Sequence, residues 1–137
     1  MLRRNEKMEW IRHVPLFSQC SKRELAQIAG IADEIDLHEG KVLIREGDRG
    51  REFFVLLDGS AEVSKDGRRI NTLGPGDFFG EIALVSNSPR TATVTAASPV
   101  RTLVITDRSF RRLLAEQPEI QRKVLVALAE RLAAASL

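Results

Sequence analysis

The chain has 137 residues, 43% hydrophobic and 29% charged, which fits one soluble globular domain with a core of its own. Twenty-one Lys and Arg against nineteen Asp and Glu leave a net charge of +2 with the signs interspersed, and such a balance does not by itself favour a nucleic-acid partner. A lone cysteine, Cys20, excludes an internal disulfide, and no apolar run is long enough for a signal peptide or a membrane span, so a cytoplasmic protein held by its core is expected.

In chain order, residues 1–13, with Arg3, Arg4 and Lys7, read as a segment that could join an upstream partner, and helices are expected within 1–30. "CSKRELAQIAG" places Ser21 three residues before Glu24, a capping-box spacing, with Leu25, Ile28 and Ala29 at helical intervals and Gly30 as a stop. From Ile31 to about Ile105 glycines separate short apolar segments, "KVLI", "EFFVLLD", "SAEVS", "TATVTAA" and "VRTLVIT", which predict short antiparallel strands. Asp66-Gly67 is a hairpin dipeptide, and Gly40, Gly47, Gly59 and Gly74 read as turn glycines. After Thr106 the glycines vanish. "DRSFRRLLAEQ" carries Asp107 as a cap and an apolar face of Phe110, Leu113 and Leu114; Pro118 interrupts it, and Ile120, Val124, Leu128 and Leu132 continue the stripe on a second helix. That order predicts a mainly β protein with helices (α+β), a jelly-roll or double-stranded β-helix barrel over 31–106 between N-terminal helices (1–30) and two C-terminal helices (107–137). The apolar face of the last helices could also support a homodimer.

One stretch obeys neither hydrophobic period, "GDFFGEIALVSNSPRTATV" at 76–94. Gly80-Glu81-Ile82-Ala83-Leu84 suits a single helical turn between strands, and the first N–H groups of such a turn lack intrahelical acceptors. Gly80 and Ala83 leave room for a phosphate to approach those amides, and Arg90 supplies a guanidinium for the same group. Glu81 would repel a bare phosphate, but an ionised carboxylate accepts a hydrogen bond from a sugar hydroxyl such as a ribose 2'-OH. A compact nucleotide with a phosphate folded near its 2'-OH satisfies both charges; a sugar phosphate satisfies them too. The competing reading, a structural ion pair between Glu81 and Arg90, would not require glycine and alanine alongside.

An enzyme is the chief rival class. His13 precedes the barrel and His38 stands alone, so no metal-ligand spacing is present, and neither a Gly-x-Ser-x-Gly elbow nor a histidine near Cys20 offers a nucleophile. A non-catalytic binding module is expected.

At these residues the sequence resembles the cyclic nucleotide-binding domain family of catabolite-activator-like regulators, kinase regulatory parts and cyclic-nucleotide-gated channels. "PLFSQCSKREL", "EGDRGREFFVLLDGSAEV" and "GPGDFFGEIALVSNSPRTATV" carry the resemblance, the last being similar to the family's phosphate-binding cassette, here 79–92. The resemblance implies that Gly80, Glu81, Ile82 and Ala83 hold ribose and phosphate, that Arg90 and Thr91 hold the phosphate, and that the base rests on Val63. It also implies C-terminal helices that close over the ligand, with Arg131, at the spacing of the lid residue of some channel members, over the base. The expected ligand is a cyclic nucleotide, cAMP ahead of cGMP, with no further cofactor and no metal, and the expected partner is an unidentified regulated effector. Catabolite-activator relatives continue into a helix-turn-helix, whereas this sequence stops a few residues after the long helix, so DNA binding by this chain alone is not expected. The alternative is a degenerate member that keeps the fold as an interaction module without the ligand.

Overall fold

The computed structural model describes residues 1–135, without the side chains of Arg131 and Ala135. Two four-stranded antiparallel sheets form the barrel, ordered β1-β8-β3-β6 and β2-β7-β4-β5, with β1 Asp33–Leu37, β2 Val42–Ile44, β3 Glu52–Asp58, β4 Ala61–Lys65, β5 Arg68–Leu73, β6 Phe78–Phe79, β7 Thr93–Ala96 and β8 Val100–Thr106. Helices α1 (Arg4–Ile11), α2 (Lys22–Ala29), α3 (Asp107–Glu116) and α4 (Pro118–Ala135) flank it, and the chain between α1 and α2 makes a short 3-10 turn, Pro15–Phe17.

β3 shows why this layering arises. Its residues 53–57 are all buried, without the alternation of a one-sided strand, because both of its faces are covered. Phe53, Val55 and Leu57 join the core under the helices, while Leu56 joins a second core between the sheets and Phe54 stacks on Phe79 at 5.0 Å. Phe17 links the helical layer to the sheet, edge-on to Phe53 at 6.2 Å and tilted against Phe110 of α3 at 5.8 Å.

The expected capping box is present, with Ser21 Oγ accepting from the Glu24 N–H at 3.2 Å and Glu24 Oε1 accepting from the Ser21 N–H at 2.8 Å. The 66–67 hairpin has positive φ at both residues, 51° and 77°, as a two-residue turn with right-handed strand twist requires. The cap of α3 lies one residue earlier than expected: Thr106 Oγ1 accepts from the Ser109 N–H at 3.2 Å, and Asp107 occupies the first helical position. Residues 4–11 form α1, one of the helices expected within 1–30, and its Met8 and Ile11 enter the helical core, so this part of the 1–13 segment packs on the domain itself. Of the predicted C-terminal stripe, Phe110, Leu113, Ile120 and Val124 are buried and Leu114 and Leu128 pack partly buried against the same core, but Leu132 is 70% exposed.

Candidate functional site

β6 pairs with β3 through Phe54 and Phe79, and delivers the chain into a 3-10 turn, Glu81–Leu84. Gly80 precedes this turn with φ +81°, a left-handed conformation that a side chain would strain. An added Cβ there would also come within 2.7 Å of the Glu52 carbonyl and of Arg90 Nη1. The single helical turn expected from the sequence is therefore present, and its Ala83 N–H donates to the Gly80 carbonyl at 3.1 Å. Leu84 and Ala83 are buried and anchor the turn, whereas Ile82 is half exposed.

Arg90 returns to the same place from the other side. The Gly47 N–H donates to the Arg90 carbonyl at 2.9 Å and the Arg90 N–H donates to the Asp48 carbonyl at 2.7 Å, stitching the cassette loop to the β2–β3 loop. Its Nη2 donates to the Glu52 carbonyl at 2.6 Å and its Nη1 to the Gly80 carbonyl at 3.3 Å. Burial lowers the Arg90 pKa from its ordinary value, with the nearby Glu52 charge acting in the opposite direction. Among the described residues no ion pair joins this guanidinium to Glu81, and its hydrogen bonds go to carbonyls. A half-desolvated cation with two of its donors already used and its remaining edge at a cavity suits a compact anion.

That cavity, about 400 Å³, is lined by Gly80, Glu81, Ile82, Ala83, Arg90, Thr91 and Val63, seven of the eight residues singled out from the sequence. The eighth, Arg131, belongs to α4 by its backbone, and its side chain lies outside what the structure describes. Glu81 is 9% exposed, held at the inner end of the turn, and Thr91 is exposed at the rim. Opposite the turn is an apolar wall on the second sheet: Val94 of β7 pairs with Ile44 of β2 on one side and with Val63 of β4 on the other, giving a continuous row across three strands. The space thus has a charged end and a flat aliphatic side, and its volume is in the range of small-ligand sites.

The sequence reading did not find Gly50. A Cβ on it would lie 2.9 Å from Arg90 Cζ and Nε and 3.0 Å from the Ala83 Cβ, so a glycine here is what allows the arginine and the turn to meet. It also missed the Glu52 carbonyl and the aliphatic partners Ile44 and Val94. Among the described residues no group of His, Cys, Asp and Glu is arranged to hold a metal ion, and no helix is long and apolar enough to cross a membrane.

The family profile described as "Cyclic nucleotide-binding domain" matches residues 34–117. A cAMP-dependent protein kinase regulatory subunit of Mycosarcoma maydis is 37% identical over 115 residues, 77% of this chain and 22% of that protein. The N-terminal domain of a transcriptional regulator from Streptomyces coelicolor A3(2) superposes with a TM-score of 0.83 at 31% identity, covering 93% of this chain and 94% of that one. The regulatory domain of Toxoplasma gondii PKA, crystallised with cAMP, gives a TM-score of 0.74 at 32% identity, covering 80% and 44%. The chain spans about a quarter of the length of the curated relatives it matches.

Proposed function

The chain belongs to the cyclic nucleotide-binding domain family, and on that premise we propose that it is a regulatory sensor that binds cAMP in preference to cGMP. The observation that carries this reading is the meeting of Arg90, Glu81 and the aliphatic row of Ile44, Val94 and Val63 around one cavity of about 400 Å³. In the proposed complex Arg90 and the amides at the start of the 81–84 turn neutralise the cyclic phosphate, with the Thr91 hydroxyl beside them. Glu81 accepts from the ribose 2'-OH, Gly80 and Ala83 keep the approach open, and the base lies on Val63. Ile82, half exposed at the mouth, covers the sugar, and Arg131 is the proposed lid over the base. The role is binding, not catalysis. The preference for cAMP is supported by the kinase regulatory relatives, whose names and crystal ligands specify that nucleotide.

The proposed output is movement of α3 and α4, within a domain that takes in residues 1–137 and operates in the cytoplasm on an effector not identified by its sequence. α3 already touches the site: Arg111 Nη2 donates to Asn87 Oδ1 at 2.8 Å, and the Asp107 N–H donates to the Arg51 carbonyl at 2.8 Å. Isothermal titration of the chain with cAMP, cGMP and AMP tests the binding reading: saturable heats for the cyclic nucleotides, strongest for cAMP, are expected. Absence of heat from both cyclic nucleotides would overturn it in favour of a ligand-free interaction module. Amide exchange in 107–135 that is identical with and without saturating cAMP would rule out the helix movement separately.

A further inference from the structure

Arg90 lines a second, smaller cavity of about 130 Å³ at the β2–β3 loop, together with Arg45, Arg49, Arg51, Asp48 and Glu52. Among the described residues no ion pair ties Arg45, Arg49 or Arg51 to a carboxylate, whereas Arg12, Arg69, Arg101, Arg111 and Arg122 each have one within 4.0 Å. Arg3, Arg4, Arg23, Arg68, Arg108 and Arg112 also have no ion pair among the described residues, and what distinguishes Arg45, Arg49 and Arg51 is that all three line one small cleft together with Arg90.

The backbone that presents them is fixed. Arg49 bridges to Pro89, the Asp48 carbonyl accepts from the Arg90 N–H at 2.7 Å, the Asp48 N–H donates to the Arg45 carbonyl at 3.1 Å, and the Arg51 carbonyl accepts from the Asp107 N–H at 2.8 Å. Four guanidiniums against two carboxylates leave the cleft two positive charges, and its volume admits one tetrahedral oxyanion rather than a nucleoside.

We infer that this cleft is a second anion site, for a dianionic phosphoryl group, next to the nucleotide pocket, with which it shares Ile44 and Arg90. The group comes either from free phosphate or from a phosphorylated side chain. Because Arg90 serves both cavities, an anion in the second cleft draws on the charge that the nucleotide uses, and the two weaken each other. This coupling rests on the nucleotide reading above; the second site does not.

The test is a titration of the isotopically labelled chain with inorganic phosphate, followed by amide shifts at constant ionic strength, with chloride as the control and a phosphoserine peptide beside its unphosphorylated form. Saturable shifts confined to 45–51 and 90 are expected with phosphate and not with chloride. A peptide that binds more tightly than free phosphate identifies a phosphorylated protein as the source, and equal or weaker binding identifies the free ion. Arg49→Ala with Arg51→Ala should weaken phosphate by about tenfold or more, and the Lys pair at the same positions should recover part of that. Arg68→Ala with Arg69→Ala, on the exposed 65–69 hairpin, should change nothing. In the wild type, saturating phosphate should raise the apparent Kd for cAMP by roughly three- to tenfold, and the Arg49→Ala, Arg51→Ala chain should lose that effect.

Shifts that are linear, or the same with chloride, would mean diffuse screening and overturn the site. So would a phosphate effect that survives in the double alanine chain with shifts at Val63 and Thr91, since the ion would then be occupying the nucleotide pocket itself. If cAMP fails to bind while the phosphate shifts saturate, the nucleotide reading falls and the second site stands.

Discussion

Replacing Gly50 with alanine should weaken cAMP without unfolding the chain. The new Cβ would lie 2.9 Å from Cζ and Nε of Arg90, with Ala83 Cβ 3.0 Å away on the other side. Carbon contacts settle nearer ~3.5–4.0 Å, so the guanidinium must retreat by roughly 0.5–1 Å. Its exits are limited by the 2.6 Å bond to the Glu52 carbonyl, by the Gly80 carbonyl and by the cavity itself, so the retreat takes the cation out of line with an anion in the pocket. A charge-assisted contact is about 1.5–3 kcal/mol, and losing a third to a half of it gives about 0.5–1.5 kcal/mol, or roughly two- to tenfold in Kd. Stability should fall by about 1 kcal/mol at most, because Gly50 does not use the left-handed region and alanine's smaller unfolded-state freedom offsets part of the crowding. Calorimetric titration with cAMP and thermal melts of the same protein separate the two effects. Wild-type affinity in Gly50→Ala would refute the idea that close approach at this glycine positions Arg90, and a loss of binding accounted for entirely by unfolding would refute it equally.

Arg90→Ala should raise the Kd for cAMP by roughly ten- to a hundredfold, the scale of one charge-assisted contact, and titration of a folded variant with unchanged affinity would remove Arg90 from the site. For Glu81→Ala the loss should be seen with cAMP and should disappear with the 2'-deoxy analogue; equal losses with both would assign Glu81 a structural role. Burial alone would raise the Glu24 carboxyl, but hydrogen bonds from Lys123, 2.6 Å away, and from Ser21 together hold it below its ordinary value of 4.5. Because the folded value is the lower one, this stabilisation is complete above the unfolded value and is lost as pH falls through the folded one. Melting temperature should therefore drop more steeply on acidification below pH 4.5 in the wild type than in Glu24→Gln, and parallel curves would show that the pair does not stabilise the fold.

What the sequence made legible was local. The Ser21 to Glu24 box, the 66–67 turn and the Pro118 break each depend on residues within a few positions of one another, and each is present in the fold. The cap of α3 moved by one because Thr106 and Asp107 are both able caps, and only the backbone direction at the end of β8 selects between them. Helices were expected within 1–30, but the bounds of α1 were not legible because "RNEKMEWI" carries too few apolar residues to show a helical period, and its helix is held by Met8 and Ile11 entering a core assembled elsewhere. The same division runs through the site. Gly80 to Arg90 is nearly contiguous and could be read as one unit, while Gly50 reaches Arg90 across 40 residues only because the barrel closes. The Glu52 carbonyl leaves no trace in sequence at all, since any residue there would supply it.

The placement of the helices decides which of them a ligand can reach first. The 81–84 turn contacts both β3 and α3, and α3 is joined to the cassette loop by Arg111 and to the β2–β3 loop by the Asp107 amide. α4 packs on α3 but has further attachments of its own: it packs on the 15–17 turn, Lys123 pairs with Glu24 of α2, and Glu130 accepts from Gln19. In the proposed movement, a ligand that draws in the turn would act on α3 directly, whereas α4 would follow only if the gain at the pocket exceeded what those contacts hold in place. A ligand shifts such an equilibrium by no more than its difference in affinity for the two arrangements. Half-buried Arg90 can supply part of that difference, because bonds to the Gly80 and Glu52 carbonyls occupy it before a ligand arrives, and exchanging or sharing them with a phosphate ties the turn, the start of β3 and the ligand to one cation. The contacts of Lys123 and Gln19 would then set the threshold for the second helix, so that the proposed movement would be graded by residues remote from the nucleotide pocket.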